Sequence, residues 1–258
     1  MLVNLHTHTP RCNHAVGTER EYIECAIAAG IQTMGFSDHS PMPFDNGYYS
    51  NFRMRPEQLD DYMTTLVDLR EEYKRDIRIM IGLEAEYYPR YFDRLIEMVE
   101  PYPLDYLLLG QHYLGNEYHA PYSGAETCDE ATLALYVDQT AEGLATGRFT
   151  YFAHPDLIRY VGSDEIYRRH MRRLCENALA LDIPLELNLL GLYQGRNYPD
   201  NRFLKIAGEV GCRMILGIDA HMPERVGDNE VLERARALAS HYGITLTEDI
   251  RIRSPFLR

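Results

Sequence analysis

IRIMIGLE (residues 77–84) and DYLLLGQH (residues 105–112) are each a short β-prone apolar run that ends in a side chain able to bind a metal ion. The same form recurs along the chain. LVNLH (2–6) ends in His6, IQTMGFS (31–37) runs into Asp38-His39, FTYFAH (149–154) ends in His154, and RMILGID (213–219) ends in Asp219. A seventh run, PLELNL (184–189), has no such ending. Helix-like segments separate most of these runs, at 18–29, 56–74, 90–100, 129–146, 164–181, 201–210 and 229–242. In 56–74, Pro56 opens the first turn, and Leu59, Tyr62, Leu66, Leu69 and Tyr73 follow a 3.6-residue period. Such alternation favours a parallel sheet covered by helices. An open sheet concentrates its site at one switch point, whereas a closed ring brings many strand ends to one centre. The expectation is a single-domain α/β chain over 1–258, a distorted seven-stranded (β/α)7 TIM-like barrel.

Composition narrows the function. The chain has 258 residues, 45% of them apolar, enough for a large core. Its formal charge is -13, with no Lys/Arg block, so a nucleic-acid backbone is repelled and no nucleic-acid partner is expected. Five cysteines, widely spaced and without a C-x-x-C pair, fit a reducing compartment better than a disulfide framework. The opening MLVNLHTHT leaves no room for a signal peptide, and no apolar run reaches the roughly 20 residues of a membrane span. The expectation is a cytoplasmic protein with no membrane partner; the oligomeric state stays open.

Seven of the ten histidines stand where an apolar run gives way to a loop. His6 and His8 are two apart, so strand geometry points both imidazoles the same way, and Asp219 and His221 repeat that spacing at the last run. One such pair is more often a surface accident. Two pairs, joined by His14, His39, Glu84, His112 and His154, indicate several ions at one end of the scaffold. Glu84 would be costly to bury unpaired, and its two oxygens suit it to bridge two ions. Glu86 and Asp38 are placed to orient ligands from behind. Cys12 reads as a bystander, and His119, His170 and His241 as ordinary structural residues.

The order of HTH, a following His, DH, GLE, QH, AHP and DAH resembles the PHP (polymerase and histidinol phosphatase) superfamily, in particular its stand-alone histidinol-phosphate phosphatases. The resemblance implies a (β/α)7 barrel and a cofactor of three divalent metal ions, zinc, iron or manganese. It implies that His6, His8, Glu84 and Asp219 hold the first ion. Glu84 would bridge to a second held by His112 and His154, with His14, His39 and His221 on a third. Gly110-Gln111 stands where the family often has Ser-Val or a similar pair. The substrate implied is a small phosphate monoester, L-histidinol phosphate, attacked in line at phosphorus by a metal-activated water.

Arg159 and Arg196 follow the fifth and sixth runs, and each offers a planar fork suited to phosphoryl oxygens. Asp38, His39 and His221 are the catalytic candidates for returning a proton to the alkoxide, with no choice among them. Glu117 and Glu126 are candidates for reading the amine or imidazole of such a substrate. Three other readings use the same residues: a phosphatase for another small metabolite or nucleotide, an amidohydrolase-like enzyme, and a binding protein with structural metal. The second expects a mid-barrel carboxylated lysine, where this chain has Glu84. The third expects sites saturated with Cys and His.

Overall fold

Strand β3 (Arg78–Ala85) shows how the pattern builds the molecule. Ile79, Ile81, Leu83 and Ala85 face the helices, and Met80 faces inward. By the same period of two, Glu84 points into the ring at its upper end. In the computed structural model, which describes residues 1–256, the other strands are β1 (Val3–Asn4), β2 (Thr33–His39), β4 (Tyr106–Leu109), β5 (Phe149–Phe152), β6 (Leu185–Asn188), β7 (Arg213–Gly217) and β8 (Thr245–Leu246). All pair in parallel, each with its sequence neighbour.

The ring closes through seven strands. The start of β7 pairs with β8, while the chain beyond its end turns to β1. There the amide of His8 donates to Ala220 O at 2.9 Å, and Thr7 bridges Ala220 in parallel register. The result is a distorted TIM-like barrel, as expected, with β8 as a short extra edge beyond the predicted seven runs.

The covering helices are α1 (Glu19–Ala28), α2 (Leu59–Glu72), α3 (Phe92–Val99), α4 (Glu130–Ala145), α5 (Asp164–Ala180), α7 (Asn201–Val210) and α8 (Asn229–His241), with a short α6 (Leu189–Gln194) after β6. Each of the seven predicted helical segments is present within two or three residues of its expected ends. Leu59, Tyr62, Leu66 and Leu69 of α2 are buried as the 3.6-residue stripe requires. Two cores result. The larger lies between strands and helices; the smaller fills the ring with Leu5, Met80, Tyr106, Leu108, Tyr151, Ala153 and Ile215. That inner plug fills the ring beneath the C-terminal strand ends, the end at which barrels of this kind build their sites. No described helix is long and apolar enough to cross a membrane.

Candidate metal centre

Six of the seven ring strands deliver a ligand-type side chain above the plug. His6 and His8 follow β1, His39 ends β2, Glu84 lies in β3, and His112, His154 and Asp219 follow β4, β5 and β7. His14 arrives through the turn Pro10–Cys12, and His221 sits two residues past Asp219. Two of these residues hold left-handed backbone without being glycine, His154 at φ 31° and Asp219 at φ 54°. Such conformations cost about 1–3 kcal/mol and persist where the surroundings demand a particular side-chain direction.

The distances describe a cation site. His6 Nε2 lies 3.5 Å from Glu84 Oε2 and 3.4 Å from Asp219 Oδ1. For His8 Nε2 the same separations are 3.5 and 3.1 Å. Ligands held tetrahedrally at about 2.0–2.1 Å from one ion stand roughly 3.3 Å from each other. These four atoms are buried and have no hydrogen-bond partner in the protein. A buried polar atom left unpaired is costly, so four converging at this spacing fit a cation between them.

Glu84 faces two ways. Its Oε1 lies 2.7 Å from His154 Nε2 and 3.6 Å from His112 Nε2, on the side away from Oε2. A third grouping joins His14, His39 and His221, with the Nε2 atoms of His14 and His221 2.9 Å apart. His39 Nδ1 also lies 3.1 Å from Glu84 Oε2, so this ring stands between two groupings.

Acceptors behind the rings set their tautomers. Nδ1 of His6 faces Glu186 Oε1 at 2.8 Å, Nδ1 of His112 faces Glu86 Oε1 at 2.8 Å, and Nδ1 of His8 faces Asp38 Oδ1 at 3.4 Å. Nδ1 of His14 and His221 face the carbonyls of Cys12 and Asp219. A proton held at Nδ1 leaves the Nε2 lone pair turned inward, as ligation requires.

Charge balance agrees. Burial pushes the carboxyls of Glu84 and Asp219 up, but the surrounding imidazoles outweigh it and hold both well below the usual carboxylate range. Burial and the charge of His8 push His221 down to about 3.

Residues 4–189 match the PHP domain family. The chain belongs to that family. A probable histidinol-phosphatase of Deinococcus radiodurans is 34% identical over 88% of each chain. The histidinol-phosphatase of Bacillus subtilis is 26% identical, over 86% of this chain and 94% of its own. Histidinol phosphate phosphatase from Lactococcus lactis, solved with zinc, L-histidinol and phosphate, superposes with a TM-score of 0.73 at 20% identity, covering 98% of this chain and 97% of that one. At that identity the superposition speaks for the barrel.

Around these converging side chains of the PHP domain lies a cleft of about 470 Å³. His14, His39, His112, His154 and His221 line it, with Glu84, Asp219 and Arg196. Arg196 Nη1 donates to Tyr198 Oη at 2.7 Å and its Nε to Gln194 Oε1 at 2.8 Å, so the guanidinium is held at the mouth. Arg159 is half-exposed, pairs with Glu126 at 2.7 Å, and lines an adjoining hollow shared with Arg196, Tyr122 and Tyr198. Asp38 is fully buried behind His8 and accepts from the amide of His39 at 2.8 Å, so it does not reach the cleft.

Glu117 departs from expectation. It is buried against Arg53 and is no rim group, because an inward-pointing Arg53 needs its charge. Sequence reasoning also passed over Glu186, which holds His6 and accepts from the amide of His154 at 2.9 Å, and Asn188, which donates to Asp219 Oδ2 at 3.0 Å. Both alternate inward along β6, and that alternation was the available signal.

Proposed function

We infer that this PHP-domain protein is a metal-dependent phosphomonoesterase that hydrolyses L-histidinol phosphate to L-histidinol and phosphate. The observation that carries this is the convergence of imidazole nitrogens on both oxygens of Glu84, with the atoms around Oε2 unpartnered in the protein and an arginine fork at the same cleft. The names borne by the Deinococcus and Bacillus relatives, and the histidinol and phosphate in the Lactococcus structure, support the substrate. The functional domain extends over the whole chain, since Asp219 and His221 lie beyond the matched residues and complete the cluster.

Three ions fit the groupings: His6, His8, Glu84 and Asp219 for one; Glu84, His112 and His154 for a second; His14, His39 and His221 for a third. The neutral imidazoles and carboxylates suit zinc, iron or manganese. Bound divalent ions supply positive charge for the phosphoryl oxygens and make water acidic enough to act as a nucleophile near neutral pH. The protein's own groups do the rest. Arg196 forks onto phosphoryl oxygens, and Arg159 adds charge from the adjoining hollow. Glu186, Glu86 and Asp38 fix the rings in ligating tautomers, so Asp38 acts one step behind the chemistry. His39 and His221 are the two proton-return candidates that line the cleft.

The test is phosphate release from histidinol phosphate by protein loaded in turn with zinc, iron and manganese. No turnover with any of them would exclude the enzyme. Arg196→Ala is expected to lower kcat/KM about 10- to 100-fold, the worth of one charge-assisted hydrogen bond, with metal content intact. Arg159→Ala is expected to cost less, because its guanidinium is half-exposed and already paired.

A further inference from the structure

One wall of the cleft is not used by the metal ligands or by the phosphate-gripping arginines. Asn51 and Phe52 come from the long connection between β2 and α2, and Tyr113 and Tyr122 from the loop after β4. Their rings form a row. Phe52 and Tyr113 are stacked with centroids 5.8 Å apart and planes 24° from parallel, and Tyr113 and Tyr122 are likewise 5.8 Å apart. The row begins at the ligands themselves, since Phe52 meets His39 edge-on at 5.2 Å and lies 5.9 Å from His112.

An unusual anchor holds this row. Arg53 is 1% exposed. Its Nη2 lies 3.0 Å from Glu86 Oε1 and also pairs with Glu117, while Nη1 donates to Ser40 O at 2.6 Å. Its guanidinium carbon sits 4.5 Å from the centre of the Phe52 ring. Glu86 Oε1 is the same oxygen that faces His112 Nδ1. A buried arginine is tolerated only when its charge is paired, and Glu86 and Glu117 pair this one, so it cannot move without breaking the network. The network ties Phe52 to a ligand through His112, Glu86 and Arg53.

The chemistry of the wall limits what it can receive. Phenyl and phenol faces attract flat rings, and their electron-rich centres attract cationic ones. Among the described residues lining the cleft, the carboxylates are Glu84 and Asp219, both committed to the ligand cluster. A cation on the alcohol therefore finds aromatic faces rather than a free carboxylate. We propose that Phe52, with Tyr113 and Tyr122, determines specificity by receiving a flat, partly cationic ring on the alcohol side of the phosphomonoester, and that Arg53 is the positioning residue holding Phe52 in place. This rests on the phosphatase reading above.

The experiment compares kcat/KM for histidinol phosphate with that for 2-aminoethyl phosphate, which lacks a ring. The ratio is expected to fall about five-fold or more in Phe52→Leu, which keeps apolar volume and removes the aromatic face. Calorimetry should show L-histidinol binding weakened by a similar factor, with inorganic phosphate binding retained. Glu117→Gln, which loosens the Arg53 anchor, should lower the same ratio without loss of bound metal. Equal losses on both substrates, or an unaltered ratio, would overturn the proposal. Failure of the unaltered protein to release phosphate from either substrate would instead overturn the phosphatase reading.

Discussion

Glu84 carries the most at the level of single residues, because both its oxygens face nitrogen ligands. Room for that carboxylate is made by Gly110, where a Cβ would lie 2.0 Å from Glu84 Oε1. Glu84→Gln keeps the shape but turns an amide toward the imidazoles; bound metal should fall by at least one ion per chain by elemental analysis. Unchanged metal content would remove the bridging role. A second residue tests burial rather than ligation. Burial pushes the Asp156 carboxyl up to about 7, against an accepted hydrogen bond of 2.6 Å from the amide of Asp200. Its folded value is raised above its unfolded one, so its contribution is fully present below about pH 4 and is lost as pH rises toward 7. Asp156→Asn accepts the same bond without ionising. It should raise Tm more at pH 8 than at pH 5, by an amount on the order of a few kcal/mol in stability at the higher pH. The reverse ranking would show that the carboxyl is ionised and stabilised by a partner. Most of the candidate ligands were legible because they end or closely follow an apolar run, a local signal. Glu186 and Arg53 were not, since their meaning lies in partners 180 and 64 residues away.

Pairs of strands decide whether those ligands can converge. Along β3 and β6 the alternation sends large apolar side chains outward and leaves carboxylates inside, so period two is enough to place Glu84 and Glu186. Neighbouring strands must then leave room. A Cβ at Gly217 of β7 would sit 1.7 Å from Glu186 Oε1 of β6, and that carboxylate is fixed by His6 and by the amide of His154. Gly217→Ala should destabilise the fold by about 1–3 kcal/mol through overpacking and loosen His6, lowering metal retention. Thermal unfolding with metal analysis of the same sample checks both, and wild-type behaviour in each would mean that Glu186 has space to move. Long elements were readable for a similar reason, since a stripe such as Leu59–Leu69 repeats often enough to show its period. Helix α6 is six residues long and begins just after Asn188, which ends a strand and caps the helix by accepting from the amide of Gly191 at 2.8 Å. Strand β8 has two residues and no room for a pattern.

Closure of the ring is a property of the whole chain, and the candidate metal site sits across it. The first and last strands of the ring meet through few backbone bonds, His8 to Ala220 at 2.9 Å and Ala220 to His6 at 3.3 Å. On either side of that seam stand His6 and His8 from the first strand and Asp219 from the last, with unpartnered atoms facing one another. A cation between them joins the two ends of the fold, so its binding energy becomes folding energy. An ion present at about a thousand times its dissociation constant adds roughly 4 kcal/mol, or about 10 °C in Tm for a domain of this size. Chelation should therefore lower Tm by that order. It should also speed hydrogen exchange at the amides of His8 and Ala220 more than at those of β3 and β4, whose pairing needs no ion. Equal protection across the seam with and without chelator would mean that the barrel is closed by its backbone and inner plug alone, with the cluster resting on a ring already shut.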